Sequence, residues 1–334
     1  MGAASEQPVR PPLELEPLWR GLEEIVAIGN RFAGTDGERA CRELLVGRFR
    51  ELGLADVRTE EFTFLGYEPE TASCTVAGEG WSIPAVALQY SADGVAEADA
   101  VYVGAGRPED VAAIEARGVD LAGKIVVAHS YHTWLVAPYL VDKGIAGLVN
   151  VSDTQDGLIG HFPVALYPEG LEAPWAGRVQ AAPGVTIAAP EARRLLSLLS
   201  SGAVRLRIEH RGRYVEQTSA NVIGVIGGTD LAEERAVVGA HYDTQAEGPG
   251  AADDATGVAS LLEIARAWRG LRPRRTIVLC AFGVEELGFW GSYNYCRRHV
   301  GELALTRGMV NLDALGLPVP GRRVVVADPE MTPF

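Results

Sequence analysis

The sequence has little of what marks several protein classes. Its 334 residues include four cysteines, Cys41, Cys74, Cys280 and Cys296, with no CxxC pair among them. That spacing argues against a zinc ribbon or a redox dithiol and predicts buried free thiols in a reducing compartment. No apolar run reaches the ~18 residues of a membrane span. The opening stretch, MGAASEQPVRPPLELEPLW, has no apolar h-region, so no signal peptide is read and a cytoplasmic location is expected. Without export, the sequon Asn150-Val151-Ser152 carries no meaning. Basic residues are scarce, 30 against 44 acidic ones, for a net charge of −14. Such a chain repels phosphate backbones and anionic membrane surfaces, so neither nucleic acid nor membrane is expected as a partner. HExxH and GxSxG are absent, which removes zincin and α/β-hydrolase readings. Gly118–Lys124 approaches a P-loop, but Ile125 stands where a Ser or Thr should hold Mg²⁺, and a strand rather than a helix follows.

What remains is an ordinary globular composition, 47% hydrophobic and 22% charged, of a length that suggests two domains. Leu18, Leu22, Ile25 and Val26 fall at helical spacing. Thr35-Asp36-Gly37-Glu38 reads as a capping box for a second helix that Gly53 ends. Residues 56–65 alternate as a strand. Beyond about residue 71, short Val/Ala/Ile runs punctuated by Gly and Pro dominate, with strands expected at Lys124–Ala128 and Ile145–Val151. Helices are expected at Trp134–Lys143 and Pro190–Ser201, and residues 204–209 alternate again. After residue 213 the pattern becomes strand–helix–strand, with strands at Val222–Ile226, Ala236–Ala240, Thr276–Phe282, Met309–Leu312 and Val324–Ala327. The helices between them are Asp254–Trp268 and Leu287–Arg298. Strands alternating with helices predict an α/β fold, a mixed and mostly parallel sheet with helices on both faces.

Polar clusters stand directly after the strands of this last region: His241-Tyr242-Asp243, Ala252-Asp253-Asp254, Glu285-Glu286 and Asn311-Leu312-Asp313. Open α/β sheets place their sites at the carboxyl ends of strands. One imidazole and several carboxylates on one rim form a metal-ligand set. His241 and Asp243, two apart, share a face of an extended chain. A metal-bound His commonly gives its other ring N–H to a carboxylate, and Asp243 is placed to receive it. Gly248–Asp253 is a small-residue loop able to carry the Asp253 carboxylate close to a metal pair. Glu285 and Glu286, being adjacent, diverge, so that one can ligate while the other acts as a base. His129 and His132 are read as part of a polar loop. Trp134, Trp175, Phe289 and Trp290 are read as core or pocket wall, with Phe289 and Trp290 candidates for a substrate pocket.

HYD at 241–243, GAADDATG at 250–257, GVEELGFWGS at 283–292 and NLDALG at 311–316 together resemble the motif series of the M28 zinc metallopeptidases. Residues 71–212 resemble a β-rich protease-associated domain, through Leu121–Val127, Gly144–Leu148 and Pro183–Ile187. The resemblance implies a zinc-peptidase-like domain formed by residues 1–70 and 213–334, interrupted by that insert. It implies metal ligands His241, Asp253, Glu286 and Asp313, with Asp253 bridging two zinc ions. Glu285 would be the general base and Asp243 would orient His241. The implied activity is exopeptidase hydrolysis of a peptide substrate, aminopeptidase first. A degenerate peptidase-like binding protein and a glutaminyl-cyclase-like acyl transferase are the alternatives. The family's fifth ligand, a His downstream of the Asp313 motif, has no counterpart, since no histidine follows His299. The chain therefore reads as C-terminally truncated, or as a natural pseudo-enzyme, with weak or single-metal binding. Oligomeric state is not legible.

Overall fold

The computed structural model describes residues 11–129, 133–152, 179–246 and 248–316. Helices α1 (Leu15–Val26) and α2 (Asp36–Glu51) open the chain. Thr35 caps α2 by accepting from the Glu38 amide, half of the expected capping box. The Glu38 side chain does not return to the cap. It is fully buried and accepts from the hydroxyls of Tyr242 (2.6 Å) and Ser219 (2.8 Å), because the strand behind α2 presents donors there.

Strand β1 (Ala55–Val76) follows, then β2 (Trp81–Ile83), β3 (Ala85–Ala87), β4 (Gly94–Tyr102), α3 (Pro108–Glu115), β5 (Ile125–Ala128), α4 (Thr133–Asp142), β6 (Gly147–Val151), β7 (Gly184–Ile187) and α5 (Ala189–Ser201). The chain returns through β8 (Arg205–Ile226), β9 (Leu231–His241), α6 (Thr256–Ala267), β10 (Arg275–Phe282), α7 (Trp290–Arg298) and β11 (Thr306–Asn311). The expected strand at 324–327, together with His132 and Trp175, lies outside the described residues, as does the Trp134 side chain. Among the described residues, no helix is long and apolar enough to cross a membrane.

Eleven strands form one sheet, in the order β11-β9-β10-β8-β4-β5-β6-β7-β3, with β1 on β8 and β2 on β1. β9, β10 and β11 are mutually parallel, as are β4 through β7. What joins the two groups is an antiparallel ribbon, β1 against β8, paired from Ala55↔Val225 to Val76↔Leu206. The separate strands expected at 204–209 and 222–226 are thus one continuous β8. The polar stretch between them hid it, because Arg213, Glu216 and Gln217 stand on a ribbon whose cross-strand hydrogen bonds do not depend on apolar side chains.

Strand β10 explains its own apolar run. Leu279 and Ala281 face α1, α2 and α6 with Ile25, Leu45, Phe49 and Leu261. Val278, Cys280 and Phe282 face the other side with Tyr295 of α7. A parallel strand covered on both faces has no use for alternation. A further core, with Phe62, Phe64, Val126, Leu148, Val284 and Leu287, runs from the β4–β7 group to the loop after β10. Three of the cysteines are buried free thiols, as expected, but Cys296 on α7 is exposed.

Candidate metal centre

The carboxyl ends of β9, β10 and β11 lie side by side, with His241 paired to Phe282 and Asn311 to Gly239. His241 is the last residue of β9 and is 2% exposed. Its Nε2 lies 2.8 Å from Asp253 Oδ1 and 3.9 Å from oxygens of both Glu285 and Asp313. Its Nδ1 faces Asp243 Oδ1 at 3.4 Å and makes no hydrogen bond. The loops after three neighbouring strands therefore meet on one imidazole.

Each carboxylate is placed by its own local structure. Asp243 is fully buried and accepts from the amides of Glu285 (3.0 Å) and Glu286 (3.1 Å). Those amides are turned toward it because Val284 adopts φ 57°, an uncommon conformation for a β-branched residue. Glu286 accepts from Gln245 Nε2. Asp253 sits in an irregular turn, Ala251–Ala255, at φ −118°, and its side chain is 57% exposed. Asp313 follows β11 and is also partly open, at 37%.

The sequence reading passed over Asp254 as a functional group. Its carboxylate is fully buried and accepts from the amides of His241 (3.2 Å), Gly257 (2.9 Å) and Ala314 (3.2 Å). It thus ties together the three segments that carry His241, Asp253 and Asp313. Gly257 permits this, since a Cβ there would stand 2.4 Å from the Asp254 carboxylate. The contact to Gly257, three residues on, has the pattern of a helix N-cap, and that was the signal available. Arg31 and Asn30 were also missed, and nothing in their local sequence marks them.

The electrostatics are those of crowded carboxylates. Burial pushes Glu285 up to about 7, with Asp243, Asp313 and Asp253 adding to the effect. Burial likewise raises Glu286 well above the usual range and Asp254 to about 8, and raises Asp313. Burial opposes a charged His241, yet Glu285, Asp243 and Asp253 outweigh it and hold its pKa well above 6.5. A bound divalent cation inverts this logic, favouring ionised carboxylates and a neutral imidazole. Among the described residues, two groupings bring one potential ligand atom per residue within 4.8 Å of each other: His241 with Asp254 and Asp313, and His241 with Glu285 and Glu286. Both Asp254 oxygens are engaged by backbone amides, however, whereas Asp253 reaches Nε2 more closely and stays open. Imidazole nitrogen with carboxylate oxygens suits zinc and other divalent first-row metals, so the residues present fit a metal.

This arrangement defines the chain as an α/β protein that gathers one imidazole and several carboxylates at the carboxyl ends of parallel strands. Residues 221–332 match the sequence profile of Peptidase family M28. The chain is 28% identical over 297 residues to Aminopeptidase YwaD of Bacillus subtilis, covering 87% of this chain and 59% of the relative. It is 25% identical over 336 residues to a probable glutamate carboxypeptidase, VP8, of Zea mays, covering 82% of this chain and 47% of the relative. The chain therefore spans about half the length of these curated relatives. Its fold is shared with a Peptidase M28 precursor from Shewanella amazonensis at a TM-score of 0.74 and 24% identity, over 89% of this chain and 70% of that one. It is shared as well with an aminopeptidase from Aneurinibacillus sp. strain AM-1 at a TM-score of 0.68 and 24% identity, over 90% and 70%.

Proposed function

We propose that this protein is a zinc-dependent exopeptidase that hydrolyses the terminal bond of a peptide, with an N-terminal residue as the first choice. The observation that carries this reading is the convergence on His241 Nε2 of carboxylates from Asp253, Glu285 and Asp313. His241, Asp253, Glu286 and Asp313 would hold zinc. When bound, zinc supplies polarisation of the scissile carbonyl and acidification of a water.

The other steps belong to side chains of this chain. Glu285, pushed up to about 7 by burial, is poised near neutrality to accept a proton from water and return it to the leaving amine. Asp243, held by the Glu285 and Glu286 amides, faces His241 Nδ1 and keeps Nε2 turned toward the ligands. Exposed Phe289 and half-buried Trp290 flank the loop of Glu285. Trp290 packs into the core and donates from Nε1 to Leu287 O at 3.1 Å, so Phe289 is the residue left to meet substrate. Residues 71–212 form, in this reading, a protease-associated insert carried on the β1–β8 ribbon. The test is zinc content together with hydrolysis of aminoacyl-nitroanilides and of C-terminally probed peptides. A protein that takes up no zinc and cleaves neither class overturns the reading.

A further inference from the structure

The structure holds a buried cation that the metal chemistry does not use. Among the described residues, Arg31 is the largest of the fully buried side chains. Its guanidinium donates to backbone carbonyls: Nε to Tyr242 O (2.8 Å), Nη1 to Pro249 O (2.6 Å) and Gly29 O (3.3 Å), and Nη2 to Gly250 O (3.2 Å). Its amide donates to Thr244 Oγ1 at 3.0 Å. The neighbouring Asn30 donates from Nδ2 to Gln245 O (2.7 Å) and Gly248 O (3.1 Å).

All of these acceptors except Gly29 lie in one stretch of chain, 242–250. Tyr242 stands between His241 and Asp243, and Gly250 begins the turn that delivers Asp253. We propose that Asn30 and Arg31 clamp this stretch and set the separation of His241 and Asp253, Arg31 being a positioning residue of the metal centre. The inference rests on the zinc reading for its consequence but not for its geometry.

Arginine is suited to the task. Its planar fork carries five donors and can satisfy several carbonyls at once, which the point charge of a lysine cannot. A buried cation with carbonyl partners alone is costly. Burial lowers the pKa of Arg31, and nearby acidic groups offset that burial only in part, so the four carbonyl contacts are what hold the guanidinium in place. Gly250 completes the fit: at φ +53° it closes against Thr244 and the Asp253 carbonyl, where a Cβ would stand 2.3 Å and 2.5 Å from its nearest neighbours.

The test uses the full chain, free of metal and then titrated with zinc against a chelator of known affinity. In metal-free Arg31→Ala, amide exchange over 242–254 should rise about tenfold or more, while amides of the β1–β8 ribbon keep their protection. Zinc affinity should fall roughly 10- to 100-fold, the range seen when groups supporting metal ligands are removed. Added guanidinium ion should restore part of both, and Arg31→Lys should fall between. Unchanged exchange over 242–254, or a rise spread evenly over the molecule, overturns the clamp, as does wild-type zinc affinity in Arg31→Ala. If Arg31→Ala does not fold, Asn30→Ala and Arg31→Lys decide by the same two measurements. A wild-type chain that binds no zinc sinks the zinc reading, while the metal-free exchange data still judge the clamp.

Discussion

The molecule contains two parallel strand groups of similar construction and different chemistry. β4 to β7 with α3 to α5 and β9 to β11 with α6 and α7 both layer helices on parallel strands, and the β1–β8 ribbon serves both. Their buried polar groups differ in kind. Around β4–β7 they are neutral: Gln89, Ser91, Asn150, Ser152 and Thr186. Around β9–β11 ionisable groups, Glu38, His241, Asp243, Asp254 and Glu263, are buried alongside neutral Ser219, Asn221 and Thr244. The charges of the first group stay at the surface, as in the partly exposed pairs Lys124–Asp99 and Lys143–Glu115, which contribute little. Two buried histidines condense the contrast. His210, fully buried, contacts Tyr67 OH (2.7 Å) and Ser91 Oγ (2.5 Å), and burial lowers its pKa to about 4. His241 sits among carboxylates and is shifted upward. One architecture thus makes a scaffold or a site according to what its strand ends carry.

The sharpest way to break this contrast is to neutralise one carboxylate on the rim of the proposed site. Glu285→Gln should lower the rate of aminoacyl-nitroanilide hydrolysis by about 10²- to 10⁴-fold, the usual contribution of a general base, with zinc content retained. A rate that survives the change removes Glu285 from that role.

The core beneath the β9–β11 group is tested next. Leu279→Ala on β10, where the side chain is fully buried between layers, should destabilise by about 2–5 kcal/mol in denaturant unfolding. A loss under 1 kcal/mol would show that β10 is not the central strand described here.

His210 sharpens the contrast through pH. It is held neutral in the fold, with a pKa of about 4 against an ordinary 6.5. The unfolded chain therefore binds a proton that the fold refuses. Stability from this site is complete above about pH 6.5 and is lost as pH falls toward 4, by on the order of 3 kcal/mol. The melting temperature of the metal-free chain should fall over that window, and His210→Asn should flatten the slope. An equal slope in the variant would assign the effect elsewhere.

The smallest effect is expected at Thr186, whose buried hydroxyl has no hydrogen-bond partner. Thr186→Val keeps the shape and removes an unsatisfied group, so the melting temperature should hold or rise slightly. The hydrolysis rate should not change. A clear fall in stability would mean that the hydroxyl is satisfied after all.

Much of this was legible in the sequence because it rests on local rules. The cap at Thr35, the stop at Gly53 and the helix beginning with Pro190 depend on neighbouring residues alone. The apolar run of β10 announced a strand covered on both faces. The shared rim of His241, Glu285 and Asp313 was legible because His241 ends β9 and the other two stand within three residues of the ends of β10 and β11, and parallel strands bring their carboxyl ends together. The continuity of β8 was not legible, since backbone pairing across the ribbon carries it past Arg213–Gln217. Glu38 misled for a related reason: its spacing from Thr35 suits a capping box, but partners 181 and 204 residues away claim its carboxylate.

By itself, then, the sequence determined which elements form and which side chains stand at their ends, because periodicity, capping and strand order act over a few residues. Tertiary structure alone decided that Asp254 ties three segments while Asp253 stays open, and that Arg31 grips a loop more than two hundred residues downstream. Hydrogen bonds to backbone amides and carbonyls depend on where the chain returns, and those acceptors and donors are the same at every residue.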